Sequence, residues 1–114
     1  MEDNTKRLPY TELTVGGKTY LLRLTSLSAI RLEERLGMSV YDALGRTNEM
    51  KILSEMIYAL IESLRPEFTR ADTYSLIDDF VSEGGTLLSL AHIAADALKI
   101  SGFFGAAPAA RESL

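Results

Sequence analysis

Two residues of the stretch SLAHIAADALK are of types that carry out chemistry in many proteins. His92 and Asp96 lie four positions apart, which places both on one face of a helix. A carboxylate beside an imidazole can orient the ring for metal binding or proton transfer. A protein zinc site needs three or four ligands, however, and His92 is the single histidine of the chain. We therefore expect His92 to be a surface or half-buried histidine.

Two other stretches resemble sites of chemistry only superficially. Asp78 and Asp79 are adjacent, and neighbouring helical side chains diverge by about 100°, so the two carboxylates cannot converge on one atom. The stretch VGGK lacks the glycine spacing and the following helix of a phosphate-binding loop. The chain contains no cysteine, which excludes disulfides, thiolate metal sites and a cysteine nucleophile. We predict no catalytic residue, no metal ligand and no cofactor, and hence no enzyme.

Composition and charge predict a single globular domain that binds neither nucleic acid nor membranes. The 114 residues are 46% hydrophobic and 25% charged, with a net charge of −4 that repels nucleic acid and anionic membranes. The basic residues are scattered, so we expect no nucleic-acid partner. The polar opening MEDNTKRLPY does not resemble a signal peptide, and no apolar run is long enough to span a membrane. These features predict a cytoplasmic protein with no membrane partner.

A β-hairpin is the first element that the sequence predicts. YTELTV places Leu13 and Val15 on one face, and KTYLLRL places Tyr20, Leu22 and Leu24 on one face. Gly16-Gly17 joins the two runs and accepts the positive φ angles of a tight hairpin turn. Because an isolated hairpin is marginally stable in water, it must pack on helices or pair with another chain.

Helical periodicity and capping residues predict five helices after the hairpin. Thr25 or Ser26, Thr47, Thr69 with Asp72, and Thr86 are the expected N-terminal caps. The expected helices cover about 26–36, 39–45, 48–64, 70–82 and 87–100. In the third helix, an apolar stripe contains Met50, Leu53, Ile57, Leu60 and Leu64, and the expected solvent face contains Lys51, Ser54, Glu55 and Glu62.

These elements predict an α+β fold, a mostly α-helical single domain with an N-terminal antiparallel β-hairpin. The domain is expected to cover residues 10–104, between a flexible N-terminus at 1–9 and a flexible C-terminal tail at 105–114. Apolar residues on the inward faces of the elements form the expected core: Leu22, Leu24, Ile30, Leu36, Leu53, Ile57, Leu60, Ile77, Phe80, Leu90 and Ile93.

Two apolar features are candidates for partner binding. The third helix is apolar around most of its circumference, so it is either central in its own domain or shared with a partner through residues such as Met56 and Tyr58. Phe103 and Phe104 precede the tail, and aromatic residues are enriched among interface anchors. The alternative for both rings is that they fold back on the last helix.

The order of these motifs resembles the tail assembly chaperones of long-tailed phages and prophages. The resemblance covers residues 10–104 and is carried by GGKTYLLRLTSLSAIRLEERLG, SVYDAL, the long apolar helix, IDDFVSEGG and ALKISGFF. Its most recognisable parts are the glycine-led strand, the helix end from Glu33 to Gly37, and the Gly-Phe-Phe near the end of the chain.

The resemblance implies a non-catalytic function in the cytoplasm of an infected or lysogenic bacterium. Proteins of this family bind the long, hydrophobic, helical tape measure protein before the tail tube polymerises around it, and they are absent from the finished virion. Many are also made in a longer, frameshifted form whose extra domain is thought to engage tail tube subunits. Self-association is a further expectation, since the hairpin has an unpaired edge. The alternative is a head–tail connector or another tail subunit that is retained in the particle.

Overall fold

The computed structural model describes residues 10–102, which form an α+β domain. An antiparallel hairpin of β1 (Thr11–Val15) and β2 (Lys18–Leu22) precedes the helices. The helices are α1 (Ser26–Leu36), α2 (Val40–Leu44), α3 (Met50–Glu62), α4 (Arg70–Ser82) and α5 (Leu87–Ile100). The predicted segments 1–9 and 105–114, together with Phe103 and Phe104, lie outside the described residues.

The hairpin has the predicted antiparallel strands and two-glycine turn. Val15 pairs with Lys18 across a two-residue loop, in which Gly16 has φ 60° and Gly17 has φ 78°. Residues with a side chain rarely adopt positive φ at two consecutive positions, and glycine does so without a steric cost. Leu13 and Leu22 are among the buried residues of the inner face, so the alternating pattern correctly identified the face that packs on the helices.

Threonine caps begin three of the five helices found within residues 10–102, as predicted. The Thr25, Thr69 and Thr86 side chains each accept a hydrogen bond from the backbone N–H three residues later, and in each case the side chain at that position binds the cap backbone in return. The prediction that Thr47 caps α3 is wrong. Glu49 occupies the N-cap position without a capping hydrogen bond, because its carboxylate instead accepts from the Arg46 guanidinium at 2.8 and 3.0 Å.

Helix α3 is the centre of the domain. It packs against α1, α4, α5 and β2, and its buried residues include Leu53, Ile57 and Leu60. Most of the broad apolar circumference of the helix is therefore buried within the domain, whereas Met50 in its first turn is exposed. No helix within residues 10–102 is long and apolar enough to cross a membrane.

The chain that leaves β2 is fastened to the ends of two helices. Arg23 N–H donates to the Leu60 carbonyl of α3 at 3.0 Å, and the Ser63 hydroxyl donates to the Arg23 carbonyl. Leu24 N–H donates to the hydroxyl of Ser101, just after α5, at 2.8 Å. These bonds fix the hairpin to the helical layer and satisfy backbone groups that no third strand pairs among the described residues.

Most of the predicted core is confirmed, with one error. Ile30 is 55% exposed, because the inward face of α1 carries Ser28 and Leu32, and Ile30 lies two positions from each. Leu36, Phe80 and Ile93 are partly buried against the core. The remaining predicted positions are buried: Leu22, Leu24, Leu53, Ile57, Leu60, Ile77 and Leu90.

Candidate protein-binding groove

A shallow groove runs along α4, between the first turns of α3 and the start of α5. It consists of two adjoining cavities of about 590 and 660 Å³, which share Met50, Ile77 and Asp78. The first cavity extends to Arg70 at the beginning of α4, and the second extends to Leu87 at the beginning of α5. We call this feature the α4 groove.

Large apolar side chains line the α4 groove and remain open to solvent. Tyr74 is 53% exposed, Met50 47%, Val81 46% and Leu87 42%, whereas Ile77 is 5% exposed and forms part of the floor. These residues come from three helices and converge on one concave surface. Contiguous exposed apolar surface of this kind marks interaction sites on soluble proteins.

The structure of α4 explains why these side chains are exposed. The helix buries Thr73, Leu76 and Ile77 against the domain. Tyr74 and Val81, seven positions apart, lie on an adjacent face of the same helix. Helix α4 therefore has an apolar surface wider than the stripe that its own core packing uses.

A network of two arginines, one glutamate and one tyrosine lies at one end of the groove, where Glu55 and Arg70 line the first cavity. The Glu55 carboxylate accepts a hydrogen bond from Arg35 Nε at 2.7 Å and another from Arg70 Nε at 2.9 Å. The two guanidinium groups lie 5.0 and 5.5 Å from the centre of the Tyr58 ring, within cation–π range. Glu55 was expected on the solvent face of α3, but it is buried because arginines from α1 and α4 cover it.

This end of the groove is electropositive. The single negative charge of Glu55 is paired with the two positive charges of Arg35 and Arg70. Lys51, which is exposed one turn earlier on α3, adds another positive charge. The Glu55 carboxylate raises the pKa of the Arg70 guanidinium above its ordinary value, first through their hydrogen bond and then through charge attraction. We call Arg35, Arg70 and Lys51, with Glu55 and Tyr58, the basic end.

The sequence-predicted partner residues have different positions in the structure. Met56 is 0% exposed and packs in the core, so its side chain is out of reach of a partner in this conformation. Tyr58 is half-buried beneath Arg35 and Arg70, where it supports the basic end. Phe103 and Phe104 lie outside the described residues.

The residues that were considered for chemistry do not assemble into a reactive centre. His92 and Asp96 are both exposed, as are Asp78 and Asp79, and only Asp78 reaches the α4 groove. Within residues 10–102, no group of three or more His, Cys, Asp or Glu side chains could hold a metal ion. The groove offers apolar contact surface, one acidic side chain near its middle and a basic end, which is an arrangement suited to binding a peptide segment.

A second apolar surface lies on α1 but is less developed. Leu27 and Ile30 are 56% and 55% exposed, and Leu27 borders a cavity of about 240 Å³ beside the Arg31–Glu62 ion pair. Leu27 and Ile30 are thus about as exposed as the apolar residues of the α4 groove, but the cavity that Leu27 borders is much smaller.

No family model, curated protein or solved structure matches the chain. The functional proposal therefore depends on the motifs of the sequence and on the geometry of the groove.

Proposed function

We propose that this chain is a tail assembly chaperone of a long-tailed phage or prophage, and that it binds the tape measure protein before the tail tube forms. The proposal begins from the motif order between residues 10 and 104. The observation that supports it best is the α4 groove, an exposed apolar surface lined by side chains such as Tyr74, Val81 and Met50.

The shape of the groove suits a holding function. A chaperone that covers a long hydrophobic helix needs a shallow apolar site on each of many copies, since avidity along the client replaces affinity at any one site. The two groove cavities are open and adjoining, and they present apolar side chains along one helix. Each copy would cover a short part of the client and leave the next part for a neighbouring copy.

The remaining elements of the proposal follow from the same resemblance. The chaperone acts in the cytoplasm of the bacterial host and does not enter the mature virion. Tail tube subunits are recruited through a frameshifted longer form, and copies of the short form associate with one another along the tape measure protein.

Co-expression tests the proposal directly. The large protein encoded immediately downstream is produced with and without this chain, and its soluble fraction and co-elution are measured. We expect it to become soluble only in the presence of this chain and to co-purify with several copies. An unchanged solubility, with this chain detected by mass spectrometry in purified particles, would contradict the chaperone proposal and support the connector alternative.

A further inference from the structure

We propose that the α4 groove binds a single amphipathic helix of about three turns, and that a carboxylate at one end of this helix pairs with Arg70. The inference rests on the proposed function only for the identity of the protein that supplies the helix. The groove itself determines the length of the bound segment, its apolar face and the position of its charge.

The length of the bound segment follows from α4. The groove extends from Arg70 to Ser82, over the 13 residues of the helix. At a rise of 1.5 Å per residue this distance is about 18 Å, which corresponds to about 12 residues of a second helix. Tyr74, Ile77 and Val81 lie at spacings of three and four along the groove, so a partner helix with apolar residues at i, i+3 or i+4, and i+7 matches them turn by turn.

The position of the carboxylate follows from Arg70. Its Nε donates to Glu55 and its guanidinium lies against the Tyr58 ring, so the orientation of the group is fixed before any partner arrives. Its side chain is nevertheless 47% exposed, and its Nη atoms have no hydrogen-bond partner among residues 10–102. A fixed guanidinium with free N–H groups is well suited to binding a carboxylate.

The other charges of the groove restrict the partner's carboxylate to the basic end. Lys51 adds a second exposed cation beside Arg70, and Arg35 contributes a third positive charge against the single carboxylate of Glu55. Asp78, by contrast, is exposed where the two cavities meet. An acidic side chain of the partner is therefore attracted at the basic end and repelled in the middle of the groove.

Two synthetic peptides test this inference without any phage protein. Both are 14-residue helix-forming peptides with leucines at i, i+4, i+7 and i+11. One carries two glutamates in its first turn and the other carries two lysines there. Binding to the full chain is followed by fluorescence anisotropy at low salt and by backbone amide shifts. We expect shifts at Tyr74, Ile77 and Val81, and about fivefold tighter binding of the glutamate peptide.

Variants of the full chain identify the surface that is responsible. We expect Tyr74→Ala to weaken binding of the glutamate peptide about tenfold. The matched control Ile30→Ala, which changes an equally exposed residue on α1, should leave binding unchanged. Lys51→Gln, which removes a cation without adding a carboxylate that could pair with Arg70, should reduce the preference for glutamate over lysine. Far-ultraviolet circular dichroism confirms that each variant is folded.

Several results would overturn the inference. They are the absence of amide shifts in the groove, equal affinity for the two peptides, or equal losses in Tyr74→Ala and Ile30→Ala. A dimer that Tyr74→Ala dissociates would assign the groove to a second copy of the chain. Shifts of groove amides on deletion of residues 103–114 would assign it to that segment. The co-expression experiment can fail while these peptides bind, and the peptides can fail while co-expression succeeds, so the two proposals are tested separately.

Discussion

Replacing Glu55 with glutamine removes the carboxylate that joins three helices, and its cost can be worked out from the geometry. Glu55 lies on α3, and it accepts hydrogen bonds from Arg35 of α1 and Arg70 of α4. A glutamine of the same shape has one amide oxygen, which can accept from only one of these arginines. Its NH₂ group then faces the Nε–H of the other arginine, so that two donors oppose each other.

The expected loss is about 2 kcal/mol of unfolding free energy. The Arg35 pair is the more buried, with 22% and 11% of the two side chains exposed, and a charge-assisted hydrogen bond there contributes about 1.5 kcal/mol. The Arg70 side chain is 47% exposed, so solvent screening reduces its contribution to about 0.5 kcal/mol. In a domain of this size, 2 kcal/mol corresponds to a decrease in Tm of about 10 °C.

Urea and thermal unfolding, followed by circular dichroism, measure this loss. Glu62→Gln is the matched control, since Glu62 pairs with Arg31 at 3.9 Å and that arginine side chain is 52% exposed. The control should change the unfolding free energy by less than about 0.5 kcal/mol. A Glu55→Gln protein within about 0.5 kcal/mol of the wild type, or no less stable than the control, would refute the stabilising role assigned to the network.

Three further perturbations have definite expected outcomes. Ile57→Asp places an unpaired charge at a position with 0% exposure and should unfold the domain, as measured by circular dichroism; a folded variant that loses only partner binding would contradict this. Arg46 lowers the pKa of the Glu49 carboxyl through their hydrogen bonds, so the pair stabilises the fold above the unfolded-state pKa and this stabilisation is lost as pH falls through the lowered pKa. In an NMR titration Arg46→Ala should raise the Glu49 pKa toward its ordinary value, and an unchanged pKa would exclude the pair as its cause. Gly85→Ala adds a Cβ that overlaps the Phe80 ring and should lower the unfolding free energy by about 1 kcal/mol in urea titrations, whereas an unaffected midpoint would mean that the ring moves aside freely.

The elements that were predictable from the sequence are those whose hydrogen bonds are local. The caps at Thr25, Thr69 and Thr86 each depend on a residue three positions later, and the hairpin turn depends on two adjacent glycines. Thr47 failed as a cap because Glu49 forms an ion pair with Arg46 at the start of α3, a competition that capping preference alone does not describe.

The errors in burial have a related cause. The apolar pattern of α1 predicts Ile30 in the core, but the face that is buried contains Ser28. This serine is polar, and its hydroxyl closes the capping box and bonds to the Thr25 carbonyl. An apolar pattern cannot reveal a face on which a serine is buried. The buried face, at Ser28 and Leu32, is therefore less apolar in sequence than the exposed face that carries Leu27 and Ile30.

The groove was not predictable because its parts are distant in sequence. Arg35 and Arg70 are 20 and 15 positions from Glu55, and nothing in the local pattern of α3 shows that its glutamate meets them. The exposed apolar residues of α4 gave one usable signal. Tyr74 and Val81 lie outside the stripe of α4 that packs on the core, and apolar residues outside such a stripe indicate a second contact surface.

The hydrogen bond between Leu24 and Ser101 has a consequence for the order in which the chain folds. Its two residues are 77 positions apart, and α5 also packs against β1. On the ribosome, a chain that has emerged only through α4 lacks the helix that covers the first strand. Its hairpin and α3 leave apolar surface exposed until α5 has left the ribosome, so completion of the core requires nearly the last described residue. A chain truncated before α5 therefore lacks the helix that buries this surface, and we expect it to aggregate.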